Sequence, residues 1–177
     1  SVASRGLGDV YKRQGYDLAI RIIRQPAPNL IARHLGQVHI RLCAAPSYLA
    51  RRGTPTTPQD LATHECLAYT YSADGEALQL LGPEGEVSIP VQPHLRANNG
   101  EVLREAAIAG MGIIAQPDFI IDQALADGRL MPVLPQWEVP PIGIYAVYTS
   151  RSHLAPKVRS FIDYLVECLD EDADRSA

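Results

Sequence analysis

The chain has 177 residues, 46% hydrophobic and 20% charged, enough for one domain or two small lobes with real cores. A balance of 16 basic against 20 acidic residues, net −4, excludes the clustered basic excess of a free-standing nucleic-acid binder. Three cysteines at irregular spacing exclude a disulfide framework, and the lack of a membrane-length apolar run or signal-peptide core predicts a cytoplasmic protein with no membrane partner.

Residues 1–14 show neither period-2 nor helical patterning and read as a tail outside the fold. Order is expected from a strand over 16–21, with Leu18 and Ile20 on one face. A loop over 22–36 carries Pro26 and Pro28 and a short strand or turn from Leu30 to Leu35, closed by Gly36. Residues 39–45 read as a strand through a core. Residues 46–53 give a helical turn or two, from Pro46 to a stop at Gly53. Thr57 as N-cap and Pro58 behind it open another short helix. A strand follows over 66–71. Turn signals at Asp74-Gly75 and 82–85 then frame a hairpin of 78–81 and 87–91, with edge character at Pro90.

The stretch 94–117 organises the chain as strand, tight turn, helix, glycine break and buried strand. Asn98 and Asn99 have side-chain oxygens suited to capping the first helical N–H groups, and Gly100 relaxes the turn. Leu103, Ala106 and Ala107 share a face, and Gly110 is the expected left-handed stop. Residues 112–115 form a short apolar run, the mark of a strand covered on both sides. Such a unit points the unpaired N–H groups of a helix start out of a sheet edge, where an anion can be accepted. Beyond it, 119–126 is a helix ended by Gly128, 130–134 a strand and 135–141 a stiff connector with three prolines. A strand is expected over 142–148. Val158, Phe161, Ile162, Leu165 and Leu169 predict a last amphipathic helix opened by Pro156, before an acidic, frayed tail over 170–177.

Chemical candidates are few. Gly110-Met111-Gly112 follows a helix and precedes a strand, the reverse of a dinucleotide loop, and lacks the third glycine. His64 and Cys66 have no second pair at metal spacing, so no metal site is expected. No strained nucleophile elbow accompanies a serine or cysteine, which argues against an enzyme. Cys43 and Cys168 lie in apolar patterns and read as core thiols. Arg21, placed at the carboxyl end of a strand, is the cation best suited to pair with a carboxylate.

The runs DLAIR (17–21), LCAAPSYL (42–49), TPQDL (57–61), NNG (98–100), AGMGIIAQP (109–117) and GRLMPVLP (128–135) together resemble the effector-binding domain of LysR-type transcriptional regulators. YAVY (145–148) and LAPKVRSFID (154–163) fit the same family. The resemblance implies an α/β fold of the type II periplasmic-binding-protein kind, with two lobes joined by two crossing strands and the first lobe incomplete. It places lobe I at 15–43 and 143–169 and lobe II at 44–142. It implies a small-molecule effector in the cleft between lobes, no cofactor, a homo-oligomer, and DNA binding only through an N-terminal helix-turn-helix that has no counterpart in these residues. On this reading Arg21, Ala45, Tyr71, Asn98, Asn99, Gly100 and Gln116 contact the effector, most plausibly a carboxylate. A transport solute-binding protein shares the fold and is the alternative.

Overall fold

The computed structural model describes residues 18–28, 30–70, 77–148 and 156–175, with side chains described as far as 169. Two compact units emerge. One comprises the described residues before His39 and after Pro141, the other His39–Pro141.

In the first unit β1 (Ala19–Ile23) pairs antiparallel with β9 (Val139–Tyr148), from Ala19 opposite Val147 to Ile23 opposite Gly143. The early part of β2 (Ile31–Ala44) lies on the other side of β9. Helix α4 (Pro156–Arg175) packs Val158 and Ile162 against Leu35 and Ala146. That buried stripe follows the 3.6-residue period of its sequence, although Phe161 stays 46% exposed. The expected face of Leu18 and Ile20 is divided. Leu18 packs on this core, whereas Ile20 is 45% exposed.

The second unit is a sheet in the order β2, β7 (Ile113–Pro117), β3 (Cys66–Tyr69) and β6 (Pro93–Ala97). Strand β7 runs antiparallel to β2, while β3 is parallel to both β7 and β6. The two-residue β8 (Met131–Pro132) adds to β2. Helices α2 (Gly100–Ile108) and α3 (Asp118–Ala126) cover one face, burying Leu103, Ala107, Ile121 and Ala124 on Cys43, Leu67 and Ile114. A second, two-stranded sheet pairs β4 (Ala77–Gly82) with β5 (Gly85–Pro90). It is pinned by Trp137, whose ring lies so close on Gly82 that a Cβ there would meet it at 2.3 Å.

Several expectations are corrected. The loop, short strand and core strand of 22–45 are mostly one 14-residue strand, β2, which passes through Gly36 without a break. The connector over 135–141 is already strand from Val139. Its pairing with β1 begins only at Gly143, past Pro140 and Pro141. The short helix expected over 57–62 is a 3-10 turn (Pro58–Thr63), held at its start by Asp60, whose carboxylate accepts from the N–H groups of Thr56 and Thr57 at 2.9 Å each. Residues 130–134 yield only the short β8. Helix α1 (Pro46–Arg52) ends at Gly53, which adopts φ +85° as a stop residue must. The acidic end expected to fray is instead helical, α4 continuing to Arg175. The tail over 1–14 and the Asp74-Gly75 turn lie outside the described residues.

Candidate functional site

Strand β7 alternates its side chains, so Ile114 and Gln116 point to the same face, towards the helices. Ile114 is fully buried in the core. One pleat further along, Gln116 is 3% exposed, a buried amide side chain. It lies where α2 and α3 both begin. A Cβ on Gly100 would come within 2.8 Å of its Oε1 and 2.6 Å of Ile120 Cδ1. Gly100 does not have a positive φ. The ends of the Gln116 and Ile120 side chains approaching Gly100 closely, rather than a positive φ, set this position apart.

The helix start is also different from expectation. Asn99 alone is the N-cap, its Oδ1 accepting from Glu101 N at 2.8 Å and Val102 N at 3.2 Å. Leu103 N reaches the Asn99 carbonyl at 3.3 Å. The predicted row of N–H groups open to an anion is thus largely spent inside the helix. Glu101 adds a negative charge in the same turn. What Asn99 leaves available is the other end of its amide, the Nδ2 donor.

Of the seven residues expected to contact an effector, Asn98, Asn99, Gly100 and Gln116 gather at this place. Ala45 lies in the same unit but is 2% exposed, and its carbonyl accepts from Tyr48 N and Leu49 N at the start of α1. Tyr71 lies outside the described residues. Arg21 belongs to the first unit and is the middle residue of β1 rather than its carboxyl end, opposite Tyr145, whose ring lies on Gly143 and edge-on to His34.

A second polar cluster escaped the sequence reading. The fully buried Tyr48 hydroxyl donates to Glu65 Oε2 at 2.7 Å, accepts from Glu65 N at 3.0 Å and meets His64 Nδ1 at 2.9 Å. The hydroxyl's one proton is committed to the carboxylate, so His64 Nδ1 must donate. Arg52 Nε donates to the same Glu65 oxygen at 3.1 Å, and the Arg51 guanidinium lies 5.6 Å from the Tyr48 ring centre. Burial and the Glu65 carboxylate push Tyr48 up to about 12. The Tyr48 hydrogen bond, helped by the backbone N–H and Arg52, draws Glu65 down to about 2. Burial and the Arg52 charge lower His64. Gly112 fits beneath this cluster, since a Cβ there would meet the Glu65 carbonyl oxygen at 2.3 Å. His64 and Cys66 are therefore the lead-in to β3. Among the described residues no group of His, Cys, Asp and Glu is arranged to hold a metal. Burial raises the thiols of Cys43, to about 12, and Cys66, to about 11, leaving them weak nucleophiles. Cys168, expected in the core, is only half-buried.

Known proteins share this arrangement of sequence and fold. The model of the LysR substrate binding domain matches residues 4–170. The HTH-type transcriptional regulator CrgA of Neisseria meningitidis is 34% identical over 167 residues, 94% of this chain and 55% of that protein. The HTH-type transcriptional regulator DmlR of Escherichia coli is 35% identical over 153 residues, 86% of this chain and 50% of that protein. The chain spans about half the length of these relatives. The solved regulatory domain of CrgA, a LysR-type transcriptional regulator, matches at TM-score 0.72 and 31% identity, over 95% of this chain and 92% of that one.

Proposed function

Since the chain belongs to the LysR substrate-binding domain family and has its type II periplasmic-binding-protein-like fold, we propose that it is the effector-sensing part of a DNA-binding transcriptional regulator acting in the cytoplasm. The observation that carries this reading is the family match over almost the whole chain. The relatives named above are regulators, which favours sensing over transport. The effector is a small organic molecule, most simply a carboxylate, met in the second unit by Asn98, Asn99, Gly100 and Gln116. Arg21 of the first unit enters by its chemistry alone, as a fork suited to a carboxylate. Ala45 offers backbone only, and Tyr71 a ring and a hydroxyl.

DNA binding and assembly into a homo-oligomer are properties of the whole regulator. With a net charge of −4, the chain by itself is expected to show no salt-sensitive duplex binding. The test is calorimetric titration of the full-length regulator with a panel of carboxylates. Arg21→Ala and Asn98→Asp should each weaken a hit by roughly 10- to 100-fold if they lose or repel a charge-assisted contact. Equal binding by wild type and both variants would remove the carboxylate assignment.

A further inference from the structure

The turn that leads into β9 is held under strain. Leu134 has φ +51°, a positive value found at no other non-glycine among the described residues. A left-handed backbone crowds any side chain, and Pro135 further pushes the residue before it towards extended conformations. Leu134 is nevertheless buried and opens the turn 134–137, its carbonyl accepting from Trp137 N at 2.9 Å. Two anchors explain why the chain bends there. Upstream, Val133 is buried and its N–H donates to the Leu42 carbonyl of β2 at 2.9 Å. Downstream, the Trp137 ring lies on Gly82, and Leu81 and Glu138 exchange two backbone hydrogen bonds of 2.8 Å. Between Val133 and Trp137 the chain must pass from β2 to the β4–β5 hairpin, and Leu134 absorbs the change of direction.

We propose that residues 133–138 are a strained strap, in which Trp137 docked on the hairpin holds Leu134 left-handed and unseating the ring lets it relax. Hairpin seating and the Leu134 backbone are then one two-position element. Because the strain is present only in the seated form, it weakens the dock and brings the hairpin nearer to release. The buried Leu80 and Ile89 of the hairpin oppose that release. The element sits at the root of β9, which continues past Pro141 into the first unit. It works whatever the effector is.

The test is native-state hydrogen exchange, followed by NMR on the isotope-labelled 177-residue chain. The Leu81 and Glu138 amides report the dock, and the Ile113 amide, bonded to the Glu65 carbonyl, reports the sheet. Leu134→Ala loses the buried side chain and keeps the strain, whereas Leu134→Gly loses both. The glycine variant should therefore exchange Leu81 and Glu138 about fivefold more slowly than the alanine variant, with Ile113 alike in the two. Trp137→Leu should speed both dock amides together by about tenfold, again sparing Ile113. It should also remove the strong amide-to-Hα cross-peak within Leu134 that a positive φ produces. Equal dock exchange in the alanine and glycine variants would overturn the proposal, since Leu134 would then place no load on the strap. So would a Leu134 cross-peak that survives Trp137→Leu, or an Ile113 amide that accelerates as much as the dock.

Discussion

Two buried polar side chains of the second unit, Tyr48 and Gln116, have opposite fortunes. The Tyr48 hydroxyl is saturated, donating once and accepting twice within 3.0 Å. The Gln116 amide, nearly as enclosed, has no partner among the described residues. Burial of a polar group is costly in both places. At Tyr48 the protein meets the cost itself, joining α1 to the lead-in of β3. At Gln116 no side-chain hydrogen bond within the described residues does the same. The first arrangement ties parts of the fold together, and the second does not.

The comparison breaks most visibly at Tyr48. Replacing it with Phe leaves the Glu65 N–H short of an acceptor and removes the carboxylate's best donor. A loss of about 2–3 kcal/mol in equilibrium urea unfolding is expected. A loss below about 0.5 kcal/mol would show that the network is ornamental. Next in size is Gly100→Ala. Its Cβ would crowd both the Gln116 amide and Ile120, costing about 1–2 kcal/mol. Adding Gln116→Ala should return part of that loss, which a mere turn requirement at Gly100 would not allow.

Acid sharpens the same contrast. His64 is harder to protonate folded than unfolded, so its contribution is complete above 6.5 and declines as pH falls through that value. Glu65 is drawn from 4.5 to about 2, so its contribution is present above 4.5 and fades as pH falls towards 2. Urea midpoints measured between pH 8 and pH 3 should fall in two stages, and His64→Gln should erase the first. The smallest effect belongs to Gln116→Leu. With no internal hydrogen bond to lose and an apolar isostere gained, stability should stay within about 0.5 kcal/mol of wild type or rise. A marked drop would mean that the amide is structural.

Much of this was legible from residue patterns. The α2 and α4 apolar stripes, the Gly53, Gly110 and Gly128 stops and the buried 113–117 strand follow from spacing and backbone freedom, and the structure has them. What stayed hidden depends on partners distant in sequence. Pro140 and Pro141 looked like a break because nothing local says where β1 begins to pair. The capping amide of Asn99 was anticipated, but not that it would use up the donors thought open to an anion. Tyr48 and Glu65 are 17 residues apart, and no pattern links them. Gln116 did carry a signal: two residues beyond Ile114 in an alternating strand, it had to share the buried face. Its lack of a partner could emerge only from three dimensions.

The Trp137 ring on Gly82 has a practical consequence. It is the chain's one tryptophan, so ultraviolet emission excited at long wavelength comes from that ring alone. Its colour and quenching therefore report whether the β4–β5 hairpin is seated. A shift to the red that precedes the loss of far-ultraviolet circular dichroism would show the hairpin lifting as its own unit. Coincident transitions would show it melting with the sheet. The molecule carries its own optical gauge, already attached and needing no label.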